Sequence, residues 1–280
     1  MRQNVKPICD LAIDMAEYGG TGEKIEEYLL SPRYGIKKHI YIVKSDGEER
    51  KTGILKGRYV TLSRKTALKQ DDDEKASFKK FLSDAISETI EFLSLKPNYK
   101  VLVAGLGNGY MTSDALGKKT VEKIIATRGI REGLDAVREI SAVAVGVSGI
   151  TGVESYEAIR GIAREIAPDL VVCVDSLCGF RTDRIGRAYQ ISTCGIEAGS
   201  GGGKSSGVRI DEKLLGVPVL SVGVPFVVSA RRLLYDVSGG ESGFDPLSPE
   251  EDMFVTPREV DAILDECSSV IASAINAALL

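Results

Sequence analysis

Residues 101–109 read VLVAGLGNG, an apolar strand-like run that breaks into a glycine-rich turn, and Asp114 follows at the start of a helical pattern. A second apolar run, LVVCV at residues 170–174, ends directly in Asp175. The carboxyl ends of the strands in an open α/β sheet form the edge where ligands bind. We therefore expect Asp114 and Asp175 to face one another at that edge.

A facing pair of carboxyl groups can share one proton, so that one group acts as an acid and the other as a base. Such a pair of carboxyl groups is the least that an aspartic-type peptidase needs for catalysis. Each residue also has a structural interpretation, because an aspartate in the first helical turn is favoured by the helix dipole and Asp175 could simply order the loop after it. The pattern alone leaves both interpretations open.

The composition excludes several classes of protein. The chain has 280 residues, of which 43% are hydrophobic and 27% charged, with a formal net charge of −4. It is long enough for one large domain or two small ones, and it has no overall basic field for binding a nucleic acid directly. We expect no apolar run of membrane-spanning length and no secretory signal in residues 1–10, and hence a cytoplasmic protein without a membrane partner.

The cysteine and histidine content disfavours a metal site or a histidine-dependent nucleophile. The five cysteines are scattered without a C-x-x-C pair, which is typical of reduced thiols. The single histidine, His39, lies in an alternating run that predicts a half-buried strand. We therefore expect no metal and no cofactor.

Strand and helix patterns alternate from residue 99 onward, which predicts an α/β fold with a mostly parallel twisted sheet and helices on both faces. The predicted strands cover residues 99–104, 141–146, 169–174, 188–193 and 217–223, and the predicted helices cover 113–127, 152–166 and 257–279. The last helix is predicted to begin with a capping box at Thr256 and Glu259.

The remaining segments carry weaker patterns. Residues 1–35 suggest a flexible entry segment with at most a brief helix near residues 23–30, and residues 36–70 suggest a small β extension. A helix with one apolar stripe is predicted from Asp71 to the proline at position 97. Residues 231–252 are interpreted as a surface excursion.

Two glycine-rich stretches resemble nucleotide-binding loops without matching them. In the turn at residues 105–109, bulky Tyr110 stands where a dinucleotide fingerprint needs a third small residue, which favours a tight turn. Residues 198–205, AGSGGGKS, match a relaxed P-loop, but Gly207 interrupts the helix that should follow. A loop that closes over an extended substrate and a plain flexible loop are both compatible with this second stretch.

A third strand-to-helix turn, GVSGITG at residues 146–152, offers backbone amides and hydroxyls that could hold a substrate carbonyl or carboxylate, although ordinary turn chemistry explains it equally well. The candidate substrate-binding residues are Asn108, Ser148, Thr151, Gly199 and Gly201.

Several blocks together resemble the spore germination protease family, in the family's order, from about Asp10 to the C-terminus. They are GRYVTL at residues 57–62, LGN at 106–108, TSDALG at 112–117, GVSGITGVE at 146–154, VDSL at 174–177, GSG at 199–201 and FVTPREVD at 254–261. Members of that family carry a longer segment where this chain has residues 231–252.

The resemblance implies an atypical aspartic endopeptidase in which Asp114 and Asp175 are catalytic. It implies degradation of small acid-soluble spore proteins in the spore core during germination, by an enzyme that we expect to be a homo-oligomer. It also implies a zymogen that trims itself at an acidic-apolar-Ala-x-acidic site, and DLAID at residues 10–14 has that form. Cleavage between Asp10 and Leu11 would separate a propeptide-like arm, residues 1–10, from a single α/β peptidase domain, residues 11–280.

The implied fold is similar to that of the hydrogenase-maturation endopeptidases, which share a Gly-x-Gly-Asn turn but use metal ligands that include histidine. A metal-dependent enzyme of that type is one alternative, although this chain has no histidine after residue 39. A non-catalytic binding module with the same fold is the other.

Overall fold

The computed structural model describes residues 9–67, 71–130, 138–199, 207–239 and 253–280. The helices in this part of the chain are α1 (Ala12–Tyr18), α2 (Asp46–Thr52), α3 (Asp72–Phe92), α4 (Leu116–Val121), α5 (Ser148–Thr151), α6 (Ser155–Ile166), α7 (Glu212–Leu215), α8 (Ala230–Val237) and α9 (Val260–Leu279). The strands are β1 (Glu26–Ser31), β2 (Ile36–Val43), β3 (Gly57–Ser63), β4 (Val101–Gly105), β5 (Ile140–Ala144), β6 (Leu170–Gly179), β7 (Ala188–Ser192), β8 (Ile196–Glu197), β9 (Arg209–Ile210), β10 (Val219–Ser229) and β11 (Phe254–Val255).

One large sheet organises the fold, with the strand order β1-β2-β3-β7-β10-β6-β4-β5 and β11 paired to β10. Strands β10, β6, β4 and β5 are parallel, whereas β1, β2, β3 and β7 extend the sheet through antiparallel pairs. Helices cover both faces, so the predicted α/β class is confirmed. The parallel half explains the uninterrupted apolar runs, because its strands are buried on both sides.

Strand β6 shows how the two faces are filled. Its Val172 and Val174 belong to the apolar cluster beneath α3 and α9, while Val171 and Cys173 belong to the cluster beneath α6. Alternation along the strand puts Asp175 on the second face. Burying an ionised carboxylate is unfavourable unless it is paired, so this aspartate stands out within an otherwise apolar strand.

The long helices were largely predicted from their apolar stripes. Asp71 caps α3 by accepting the backbone N–H groups of Asp73 and Glu74. Helix α9 begins at Val260 rather than at residue 257, because a turn in which Val260 N–H donates to the carbonyl of Pro257 precedes it.

The expectation that no apolar run is long enough to span a membrane was wrong for α9, since the length and composition of this helix alone would allow it to cross one. In this fold 56% of that segment is buried inside the protein. Leu264, Ile271 and Ile275 are fully buried in the core beneath the sheet. Such burial is typical of the core helix of a folded domain.

The N-terminal segment differs most from its prediction. Residues 9–35 contain α1 and β1, and the brief helix expected near residues 23–30 is instead mostly strand. Leu11 and Ala16 are fully buried. The expectation of a flexible segment was wrong for residues 9–35, because the groups that bury α1 come from strands far along the chain.

Two further elements have boundaries that differ from the predicted ones. The helix predicted over residues 113–127 is a 3₁₀ turn, Thr112–Asp114, followed by the short α4. Residues 231–237 of the predicted surface excursion belong to α8, while residues 240–252 lie outside the described residues.

Candidate active site

Asp114 is held by the glycine turn that follows β4. The backbone N–H of Asn108 donates to Asp114 Oδ2 at 2.7 Å. Gly107 has a φ of +94°, and a Cβ atom there would collide with the Asp114 carbonyl oxygen and lie 2.9 Å from its Oδ1. Only glycine therefore lets the turn close over Asp114.

A second close approach fixes this turn against the sheet. A Cβ atom on Gly117, in α4, would lie 2.5 Å from the carbonyl oxygen of Val174 and would also collide with the backbone of Leu106. Leu106 N–H in turn donates to Val174 O at 2.8 Å. The start of α4 is thus packed directly on the residue before Asp175, which brings Asp114 and Asp175 to the same edge.

Asp175 lies on β6 and is 3% exposed. Its Oδ1 accepts the backbone N–H of Ser176 at 2.8 Å. In the sheet, Asp175 is paired with Gly223 of β10. On its other side, Gly223 is paired with Gln190 of β7. Paired residues share a face of the sheet, so Gly223 leaves no side chain of its own between Asp175 and Gln190.

Burial raises the pKa values of both carboxyl groups. Burial raises the pKa of Asp175 well above its usual range, and the nearby charge of Asp114 raises it further, against the opposing hydrogen bond from Ser176 N–H. Burial also raises the pKa of Asp114, opposed by the Asn108 N–H. Two coupled acids with raised pKa values can supply one protonated and one ionised group at the same time.

The N-terminal segment covers this site. Asp10 N–H donates to the Cys178 carbonyl oxygen at 2.9 Å, and Cys178 N–H donates to Asp10 Oδ2 at 2.7 Å. The Asp10 carboxylate also contributes to the raised pKa of Asp175. A cavity of about 270 Å³ adjoins the segment and is lined in part by Asp10, Leu177 and Gln190. Residues 10 and 11 thus lie beside the aspartate pair.

Asp14 anchors the same segment on the C-terminal side of the Asp10–Leu11 bond. Its Oδ1 lies 2.5 Å from Arg184 Nη1, and its Oδ2 accepts the Phe180 N–H at 2.9 Å. Arg184 also pairs with Glu17 at 2.7 Å. Arg184 and Gln190 were missed in the sequence; the only signal for Gln190 was a polar residue within an apolar strand pattern.

The candidate substrate-binding residues are not brought together by the described contacts. The side chain of Asn108 shapes its own turn, because its Oδ1 accepts the Tyr110 N–H at 2.9 Å. The Thr151 hydroxyl lies within hydrogen-bond distance of the Val147 and Val153 carbonyl oxygens of its own turn, either of which can accept its proton.

Of the three other candidates, two lie in the described part of the chain. Ser148 begins α5 and is half-buried, and Gly199 has a φ of +80°. Gly201 lies outside the described residues. A substrate-binding role for these residues stays a prediction.

Within the described ranges, no group of three or more histidine, cysteine, aspartate or glutamate side chains is arranged to hold a metal ion. His39 lies on β2, where its Nε2 is 3.0 Å from Glu27 Oε2. The described residues thus offer a pair of acids rather than a ligand cluster.

Comparison with known proteins identifies the family of this chain. A family model described as germination protease matches residues 22–238. The germination protease of Clostridium acetobutylicum is 36% identical over 272 residues, covering 85% of this chain and 83% of that protein, and the one from Caldanaerobacter subterraneus is 34% identical over 279 residues, covering 88% and 85%. Among solved structures, the NiFe hydrogenase maturation protease HycI from Thermococcus kodakarensis matches with a TM-score of 0.37 and 17% identity, covering 63% of this chain and 92% of that one. The chain belongs to the germination protease family.

Proposed function

We propose that this protease hydrolyses small acid-soluble spore proteins during germination, with Asp114 and Asp175 as its acid and base and without a metal or cofactor. The observation that carries the proposal is the coupling of the two acids: Asp175 is buried within β6, and its pKa is raised both by burial and by Asp114. Structural aspartates are usually paired with a cation or exposed to water. A buried acid kept beside a second acid is typical of an aspartic catalytic pair.

The roles of the two acids follow from their surroundings. Asp175 is 3% exposed, and its pKa is raised by burial and by the charge of Asp114, whereas Asp114 is only half-buried. We assign the shared proton to Asp175, which polarises the scissile carbonyl, and the activation of water to ionised Asp114. The Asn108 N–H bond to Asp114 favours this ionised form.

We also propose that the chain is made as a zymogen that cuts itself between Asp10 and Leu11. The contacts of Asp10 with Cys178 support this, because they hold the bond beside the acids and deny the same space to other substrates. Removal of residues 1–10 would open the site on the side of Asp10. We further propose that the enzyme acts in the cytoplasm of the spore core, as a homo-oligomer.

The test compares full-length protein with Asp114→Asn and Asp175→Asn variants in the digestion of purified small acid-soluble spore proteins. We expect each variant to lose at least about a thousandfold in kcat, because one half of the acid-base pair is removed. Asp169→Asn is the matched control, since Asp169 precedes the other end of the same strand and pairs with Lys96 at 2.7 Å. Full activity in either site variant would overturn the assignment.

A further inference from the structure

The side chain of Gln190 contacts the N-terminal segment on both sides of Leu11. Its Nε2 donates to the carbonyl oxygen of Asp10 at 2.9 Å, and its Oε1 accepts the N–H of Ala12 at 2.7 Å. Gln190 is 7% exposed, so both hydrogen bonds lie away from bulk water. One amide group therefore holds the backbone before and after a single residue.

The first of these contacts reaches a particular carbonyl. The carbonyl of Asp10 belongs to the peptide bond between Asp10 and Leu11, which is the bond that self-processing would cut. During hydrolysis, negative charge develops on that oxygen when water adds to the carbonyl carbon. A fixed N–H donor at hydrogen-bond distance, shielded from water, stabilises such charge strongly.

We infer that Gln190 binds the scissile carbonyl and stabilises its oxygen as water attacks. This inference rests on the proposed self-cleavage. In the reaction, water adds to the Asp10 carbonyl carbon, Asp114 takes a proton from the water, and Asp175 gives its proton to the carbonyl oxygen. Asp114 then passes the proton that it took from water to the Leu11 nitrogen, and a hydroxyl of the diol returns a proton to Asp175. The bond to that nitrogen breaks, which leaves a carboxylic acid on Asp10 and a free amine on Leu11, and Gln190 gives up no proton at any step.

The sheet register supports this role. Gln190, Gly223 and Asp175 lie in one row across β7, β10 and β6. Neighbouring strands are about 4.8 Å apart, so the backbones of Gln190 and Asp175 are separated by roughly 10 Å. The Asp10 carboxylate is close enough to affect the pKa of Asp175. Gln190, which binds the Asp10 carbonyl, thus lies two strands from Asp175 in the same row of the sheet.

The second contact positions the bond. With the Ala12 N–H bound to Gln190 and the Asp10 N–H bound to Cys178, the backbone on both sides of the bond is fixed. A role limited to holding the segment would make a different prediction. Loss of a mere clamp would loosen the segment and expose it to any added protease, without slowing the chemistry of the bond.

Two variants separate these roles. Gln190→Glu keeps an oxygen that can accept the Ala12 N–H, but it cannot donate to the Asp10 carbonyl when its carboxyl group is ionised. Gln190→Met is similar in size and loses both the donor and the acceptor. The rate of conversion of the full-length chain to the form that begins at Leu11 is followed by mass spectrometry between pH 5 and 8. Ser221→Ala is the matched control, since Ser221 lines the same cavity and its hydroxyl donates to the Ser192 carbonyl oxygen instead.

We expect Gln190→Met to cut itself about 100-fold more slowly or worse at every pH, and Ser221→Ala to match the wild type. Gln190→Glu should be equally slow at the upper end of the range and recover part of the rate where its carboxyl group is protonated and again donates. Wild-type rates in Gln190→Met, or faster trimming together with faster attack by an added protease, would overturn the inference.

The outcomes also separate this inference from the proposed function. If the wild type trims itself and Asp175→Asn does not, the proposed function stands, and the Gln190 variants alone decide the inference. If the wild type keeps residues 1–10 under activating conditions, self-processing and the inference both fail. Near-ultraviolet circular dichroism checks folding, and the nearly isosteric Gln190→Glu is decisive if Gln190→Met does not fold.

Discussion

Asp10 and Cys178 are joined by two hydrogen bonds, one from Asp10 N–H to the Cys178 carbonyl oxygen at 2.9 Å and one from Cys178 N–H to Asp10 Oδ2 at 2.7 Å. The N-terminal segment therefore binds the strand that carries Asp175 as an extended peptide would. The acidic side chain at position 10 is held by a backbone amide.

The Asp175→Asn variant should be more stable than the wild type at neutral pH. The pKa of Asp175 is raised above its unfolded value of about 3.9, so the folded state binds more protons and stability falls as pH rises above that value. Asparagine cannot ionise, and its carbonyl oxygen can still accept the Ser176 N–H. We expect a higher melting temperature near pH 7 and little difference near pH 3.

The Asp169→Asn variant is a control for which we expect the opposite change in stability. The pKa of Asp169 is lowered by the hydrogen bond from Lys100 N–H and by Lys96. Its ionised form therefore adds stability above the unfolded pKa, and that stability is lost in acid. Asparagine at position 169 should lower the melting temperature at pH 7. A destabilised Asp175→Asn protein at pH 7 would contradict the account of the buried pair.

The turn over Asp114 should depend on Gly107. Replacing it by alanine strains the backbone at φ +94° and creates a collision with Asp114, at a cost of about 2–4 kcal/mol and with loss of activity. Gly149→Ala is the control, because a Cβ atom there meets nothing within 4 Å. Urea unfolding and the peptidase assay measure both effects. Equal behaviour of the two variants would show that the turn tolerates a side chain.

The ion pair between Arg184 and Asp14 should hold α1 in place. Arg184→Met leaves the buried Asp14 carboxyl without its cation, which costs about 3–5 kcal/mol when the acid stays ionised. The pKa of Asp14 is already raised, mainly by burial, so protonation of Asp14 will reduce this loss of stability. Hydrogen exchange should therefore accelerate in residues 12–18. Lys80→Met, which breaks an exposed pair with Asp84, should stay within about 0.5 kcal/mol of the wild type.

Peptidase activity should survive exhaustive chelation. The proposed chemistry uses only carboxyl groups and water, and the described part of the chain holds no cluster of metal-binding side chains. Treatment with a strong chelator followed by dialysis should leave kcat unchanged. Loss of activity that a divalent ion restores would favour a metal-dependent peptidase instead.

The sequence predicted those elements whose pattern depends on neighbouring residues. The apolar runs of β4 and β6 predicted buried strands, but β6 does not end before Asp175 as expected, because it continues to Gly179 through its pairing with β10. Asp71 and the apolar stripe of α3 predicted that helix in the same way. These features depend on neighbours within a few turns or one strand, which periodicity and capping rules describe well.

The N-terminal segment could not be predicted because its stability comes from distant residues. Leu11, Ala12 and Ile13 are too few to establish a period. The side chains that hold the segment lie far along the chain, because Gln190 accepts the Ala12 N–H and Arg184 pairs with Asp14. A lone glutamine in a strand pattern is also too weak a signal to indicate contact with a particular carbonyl. Only the sheet register brings these residues together.

The most direct test of the account is the N-terminus of the purified full-length protein after incubation under activating conditions. Mass spectrometry and N-terminal sequencing should show loss of residues 1–10 and a new start at Leu11 in the wild type, with Asp114→Asn and Asp175→Asn remaining full length. Mixing labelled Asp175→Asn protein with wild type would separate cleavage within one chain from cleavage between chains. Trimming of Asp175→Asn by itself at the wild-type rate, in a preparation free of other proteases, would contradict the central claim.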